Sequence, residues 1–350
     1  MLRIQHAILH SFDLTTSELF LSSMELDLDE KKTMSFVKRH CRKAINNVEN
    51  NTGEFAHDSN FAQEIVRFDK DEVPFIEFSQ QIATFFYEEL RKGDSDAPCD
   101  LLISEFSDTI DAGASDEAAE EAFVGGENRY FGILLLPRKE VFVHQIAGYD
   151  TSVVNDVAKT NAALPNPSQK IDTYAVINLT DMSIMFHDKE RTIAGNDTYL
   201  VPDGLLQCSR KSSTKEVLQA VTAIVEDVAE EYGLITSEAV GKAKAYMSEN
   251  VEHAEEFTPE EVGKVVFEDE PEYIEKYEKK AIVQNLPETV HVKKSQANRI
   301  TKNHKIKTDT GIEITFPSEY AKDAQFIEFV TDSDGLISIQ LKNITSIENK

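Results

Sequence analysis

Six cations, Lys293, Lys294, Arg299, Lys302, Lys305 and Lys307, lie close together near the end of the chain, and no acidic residue falls between His291 and Lys307. Lysines and arginines grouped in this way offer one chemistry above others, the neutralisation of phosphates with release of their counterions. Nothing in the run suits base recognition, so its contacts would position a nucleic acid without reading it. A second cationic pair, Arg210 and Lys211, stands between Ser209 and Ser212, just ahead of Ser213 and Glu216. Ser and Glu at that spacing form a capping box at a helix start. Two cations beside free helix N–H groups make a phosphate site; the plainer reading is two solvated charges.

Other chemistry is not visible. The chain has no GxGxxG after a strand, no phosphate-loop lysine, no HExxH, no CxxC and no GxSxG elbow. Cys41, Cys99 and Cys208 are odd in number and far apart, which fits a reducing compartment and neither a disulfide frame nor a zinc site. The nine histidines include no pair at metal-ligand spacing backed by cysteine or a plausible carboxylate frame. Acidic pairs such as Asp27 with Asp29 and Asp332 with Asp334 carry no weight in a chain with 63 carboxylates. We therefore expect no cofactor, no metal and no catalytic residue. The 36 basic residues leave a net charge of −27 over 350 residues, which suits a soluble cytoplasmic protein and argues against an evenly cationic binder. The start of the chain lacks a signal-peptide core, and no run approaches the roughly 20 apolar residues of a membrane span.

The elements that must position these groups follow from periodicity. Tyr130 to Leu136 is a nearly continuous apolar run, broken by residues 137–140 and resumed by Val141, Phe142, Val143 and Ile146. It predicts a hairpin in the middle of a sheet, buried on both faces, with Gly132 at a bulge or a close backbone approach. Two strands precede it, one from Ile4 to Leu9 and one from Leu19 to Leu28. Met34, Val37, Cys41 and Ile45 then mark one face of a helix, with Lys31, Lys32, Lys38, Arg39, Arg42 and Lys43 around the other, read as a solvated face. Phe61, Ile65 and Phe68 predict a short helix, and Phe75 to Leu90 a longer one. Leu101 to Phe106 reads as a strand, and residues 108–128 as an acidic loop.

Beyond the central stretch, 171–179 and 182–186 read as strands and 199–201 as a further short one. Val217, Val221, Ile224 and Val228 stripe the Ser213 helix, which Gly233 ends. Thr258, Pro259 and Glu261 suggest a second capping box in an acidic, helical stretch running to residue 281. At the end of the chain, alternation at Ile312, Ile314 and Phe316, and at Ile337, Ile339 and Leu341 around Asp334-Gly335, predicts a small β meander. The fold class is α+β: a largely antiparallel sheet with flanking helices, a helical middle segment and a small C-terminal β meander. The expected domains are 1–205, an α+β core; 206–287, helical and acidic; and 288–350, a basic arm with a small β module.

In the order and spacing of three regions the chain resembles the bacterial nucleoid-associated protein family, the NdpA-like group. These are Arg129-Tyr130-Phe131 in the central hairpin, Ser209-Arg210-Lys211-Ser212 before the helix, and residues 300–305 with 310–316 and 334–339. The resemblance implies a cytoplasmic, nucleoid-located protein that binds nucleic acid without known catalysis. Combined with the charge pattern, the expectation is duplex DNA held with little sequence preference through Lys293, Lys294, Arg299, Lys302, Lys305 and Lys307, joined by Arg210 and Lys211. Other nucleoid proteins and a second copy of the chain are further expected partners, and a membrane is not. Two alternatives stay open. One is a protein-interaction module whose acidic surface and helical arm recruit a nucleoid partner; the other is a nuclease using carboxylates and a lysine on a strand.

Overall fold

The structure, a computed structural model, describes residues 2–93, 97–109, 127–149, 152–268, 270–292 and 301–348. The chain forms two compact units, Met1–Lys211 and Ser212–Lys350. In the first, β1 (Arg3–Asp13) and β2 (Glu18–Phe20) lead to α1 (Lys31–Ile45), β3 (Asn51–Gly53), α2 (Asn60–Asp69) and α3 (Phe75–Leu90). Then come β4 (Cys99–Thr109), β5 (Glu127–Pro137), β6 (Lys139–Tyr149), β7 (Ser152–Ala163), β8 (Tyr174–Asn178) and β9 (Ile184–His187). A small hairpin of β10 (Glu190–Ile193) and β11 (Asn196–Tyr199) and a π-helical turn, Leu200–Leu206, complete it.

Seven of these strands form one antiparallel sheet in the order β2-β1-β4-β5-β8-β9-β3. Each face is covered differently. Val37, Cys41 and Ala44 of α1 pack on Leu102, Phe106, Leu134 and Val176. On the other face, α2, α3 and the π turn bring Phe68, Phe78, Phe86 and Leu205 onto Ile103, Phe131, Ile133 and Ile177. Phe131 is the hub, with the rings of Phe68 and Phe78 at 5.1 and 5.2 Å. Alternate residues of β5 serve the two cores, so its apolar run is unbroken.

The predicted central hairpin does not form. Both edges of β5 are occupied, by β4 along its whole length and by β8 from Tyr130 to Leu134, so no edge is left for β6. After Pro137 the chain leaves the sheet, and β6 pairs with β7 in a separate two-stranded ribbon. Val141, Phe142, Val143 and Ile146 were expected in the core; instead Phe142 is 74% and Ile146 68% exposed. Gly132 matches the close-approach expectation, since a Cβ there would lie 3.1 Å from the Phe106 ring and 3.2 Å from Ser104 Oγ. The register runs through it without a bulge. Of the second predicted strand only Glu18–Phe20 pairs; Leu26 and Leu28 pack against the α1 core outside any strand. Most of the expected acidic loop, 110–126, lies outside the described residues.

The second unit opens with α4 (Thr214–Glu231). Its capping box is complete: Ser213 Oγ accepts from the Glu216 N–H at 3.2 Å and Glu216 Oε2 accepts from the Ser213 N–H at 2.7 Å. Gly233, at φ +70°, ends it in the left-handed region. Then follow α5 (Thr236–Ala254), β12 (Glu256–Phe257), α6 (Pro259–Val266), α7 (Pro271–Val283) and β13 (Val290–His291). Val221, Ile224, Val228, Met247, Val262 and Tyr277 form their core, with Val290 and Val292 buried in it. The second capping box is absent, because Thr258 makes no side-chain cap, although Pro259 does occupy the first turn. The C-terminal strands form two separate hairpins and not one meander: β14 (Asn303–Lys307) with β15 (Glu313–Pro317), and β16 (Ile327–Thr331) with β17 (Ile337–Leu341). Gly335, at φ +78°, turns the latter pair as expected.

Candidate nucleic-acid interface

Alternation along β14 sets the direction of its side chains. His304 points inward, 3% exposed, with its ring edge-on to Phe316 at 5.3 Å. Burial lowers its pKa to about 4, so the imidazole is neutral and serves as packing. Lys305 and Lys307 consequently point outward. Both reach a single carboxylate on the neighbouring strand, Glu313, at 2.8 and 3.8 Å. The Lys305 hydrogen bond holds the Glu313 carboxyl below its ordinary pKa. Such exposed pairs are weakly held and screened by salt, so another anion competes for both lysines.

Lys302 stands where the chain enters β14. It borders a groove of about 470 Å³ that Glu249, Glu252, Glu319 and Lys322 also line, and Lys322 pairs with Glu249 at 2.7 Å. The surroundings of Lys302 are therefore mixed in charge. Lys293, Lys294 and Arg299 lie outside the described residues.

Arg210 and Lys211 each have a protein partner. The Arg210 guanidinium lies 4.9 Å from the centre of the Tyr199 ring, and its Nη1 donates to the Tyr199 hydroxyl at 3.1 Å. Lys211 Nζ donates to Glu54 at 2.5 Å, and its backbone N–H donates to the Thr52 carbonyl. At the α4 start the Ser213 and Glu216 N–H groups are satisfied by the capping box.

The thiols have no nucleophilic poise. Burial pushes Cys41 and Cys99 up to about 12 and Cys208 up to about 11. A cavity of about 380 Å³ runs beside Cys99, Leu90, Leu135 and Ile193. Its arginine, Arg191, is held by the buried Asp188 at 2.7 Å. Among the described residues no group of three or more His, Cys, Asp or Glu side chains is placed to hold a metal ion. No described helix is long and apolar enough to cross a membrane.

One surface the sequence reading missed is the β6–β7 ribbon. Phe142, His144 and Ile146 share a face with Val157 and Lys159 through their cross-strand pairing. The signal was present as an apolar alternation, but nothing local says whether such a strand finds a sheet. A family model described as nucleoid-associated protein YejK matches residues 8–348. No curated protein matches the chain.

Proposed function

The chain belongs to the nucleoid-associated protein YejK family, and on that premise we propose that it is a non-catalytic protein that binds duplex DNA with little sequence preference. The observation carrying this reading is charge segregation: six cations without an acid at 293–307 in a chain of net charge −27. Lys302, Lys305, Lys307 and the three cations preceding them are assigned to phosphates, with Arg210 and Lys211 contributing by exchanging their present partners. Glu313 is the internal competitor that a phosphate displaces from Lys305 and Lys307.

The test is a titration of full-length protein on two unrelated duplexes over a range of salt. Four phosphate contacts give a slope of log affinity against log salt of about −3 to −4. The double variant Lys302→Ala/Lys305→Ala reduces its magnitude by about 2 and weakens both duplexes alike. A near-zero wild-type slope, or a loss confined to one duplex, refutes the phosphate-clamp reading. Magnesium-dependent loss of the duplex would instead make the protein a nuclease.

A second reading, self-association, is favoured by the ribbon. A two-stranded ribbon is marginal by itself, and this one exposes Phe142, Ile146 and Val157. Its described charges balance, Lys139 and Lys159 against Glu140 and Asp156, so two acidic copies meet there with little repulsion. Phe142→Ser/Ile146→Ser lowers the sedimenting mass from dimer to monomer under this reading; an unchanged mass rules it out.

A further inference from the structure

Helix α1 carries Lys31, Lys32, Lys38, Arg39, Arg42 and Lys43 and no acidic residue along its 15 positions. At about 100° per residue these six fall within an arc of roughly 140°, on a helix about 22 Å long. The opposite face is committed, with Val37, His40, Cys41 and Ala44 buried against the sheet. Most of the described lysines and arginines elsewhere in the chain sit within ion-pair distance of a carboxylate. On α1 only Lys32 does so, with Glu30 at 2.9 Å, and Lys43 donates to the carbonyls of Ser168 and Gln169. Lys31, Lys38, Arg39 and Arg42 have no side-chain partner among the described residues.

This arrangement works against the helix that bears it. Lys38 with Arg42 and Arg39 with Lys43 are like charges at i, i+4, which destabilise an exposed helix face. Lys31 and Lys32 in the first turn oppose the helix dipole, and only the N-cap carboxylate of Glu30, paired with Lys32, offsets them. In a chain with 63 acidic residues, carboxylate partners are abundant, yet among the described residues Lys31, Lys38, Arg39 and Arg42 have none. We infer that the exposed face of α1 is a second phosphate-backbone contact surface for nucleic acid, independent of the C-terminal cations. The occupant proposed is a nucleic acid and not an embedded bilayer interface, because a helix lying in that interface needs a free apolar face and that of α1 is buried in the core; anionic vesicles test the purely electrostatic lipid contact. The inference rests on the nucleic-acid reading above and moves part of the contact to the N-terminal unit.

The test is the full-length variant Lys38→Gln/Arg39→Gln/Arg42→Gln, titrated on duplex DNA over a range of salt beside wild type and Lys302→Ala/Lys305→Ala. Glutamine keeps helix propensity and removes the like-charge pairs, so thermal stability holds or rises. Three lost contacts reduce the slope magnitude by about 2.7 and weaken binding roughly 500-fold at about 0.1 M salt. Arg39→Lys/Arg42→Lys keeps the charge and keeps the slope. An unchanged slope in the Gln variant overturns the inference, as does an equal loss in the Lys variant, or retention on anionic lipid vesicles with no shift of duplex. Loss in the Lys302/Lys305 variant alone leaves the C-terminal reading standing and this one refuted; loss in the α1 variant alone does the reverse. A wild-type protein with no affinity for duplex refutes both.

Discussion

Asp188 has no exposed side-chain surface, yet four donors converge on it: Arg191 Nη1 at 2.7 Å, Thr173 Oγ1 at 3.1 Å, the Val201 N–H at 2.7 Å and the Lys189 N–H at 2.9 Å. The carboxylate ties β10, the start of β8 and the π turn together. Removing it leaves a half-buried guanidinium without its carboxylate, which costs up to about 3–5 kcal/mol, the range for a buried pair. Asp188→Ala is therefore expected to lower the unfolding free energy from urea titration by that amount, while duplex binding, measured where the variant is folded, is unchanged. A cost under about 1 kcal/mol would mean that Arg191 finds another partner or reaches water. Three histidines set the acid limit. Burial holds His10, His40 and His304 at about 4, below the ordinary value near 6.5. The unfolded chain binds these protons first as pH falls. Their neutral packing is thus fully effective above about pH 6.5 and weakens between there and pH 4, by at most about 1.4 kcal/mol per unit for each ring. Denaturation midpoints at pH 7.5, 6 and 5 check this, since the carboxylates titrate lower. A flat profile would show that the rings are reached by water.

At the scale of elements, the C-terminal strands depend on one close approach. Gly241 interrupts α5, where glycine costs about 1 kcal/mol against alanine. A Cβ there would lie 2.5 Å from the Ala321 Cβ and 3.5 Å from the His304 ring. The glycine lets β14 and the 3₁₀ turn Ser318–Lys322 sit against the helix backbone. Gly241→Ala is expected to destabilise the second unit by about 1–3 kcal/mol through overpacking, and Ala321→Gly added to it is expected to recover most of the loss. A double-mutant cycle in urea measures the coupling; additive effects would mean the two positions do not meet. The same contact makes the Lys302–Lys307 segment a surface built on α5. Together with Val290 and Val292 in the helical core, it makes 212–350 the fragment suited to isolated binding tests.

For the whole molecule, a net charge of −27 sets two opposite salt responses. Self-repulsion among carboxylates is screened as the Debye length falls from about 10 Å at 0.1 M to about 3 Å at 1 M, so added sodium chloride is expected to raise thermal stability. Phosphate contacts respond the other way, since counterion release weakens with salt. A thermal scan and a duplex titration on the same salt series are expected to diverge. A melting temperature that falls with salt would show that the exposed ion pairs outweigh the global repulsion.

Much of this protein is local and was legible before folding. The 3.6-residue stripes of α1, α3 and α4, the Ser213–Glu216 box, the Gly233 stop and the Asp334-Gly335 turn each follow from residues within a few positions of one another, where helix and turn physics operates. The cation cluster at 293–307 was legible for the same reason. What lay beyond the sequence was every choice among distant partners. The apolar run of β5 identified a buried strand without showing that β4 and β8 would take its two edges and leave β6 outside the sheet. The α1 cations were visible as a solvated face, and pairs such as Arg67 with Glu64 and Lys242 with Glu238 are local. Tertiary structure placed carboxylates beside others, such as Arg129 and Lys322, and among the described residues none beside Lys31, Lys38, Arg39 and Arg42. Much of the strand pairing, long-range ion pairs such as Arg129 with Asp69, and the seat of Gly241 on Ala321 join residues tens of positions apart or more. Their energies depend on which surfaces the cores bring together, and no local pattern encodes that.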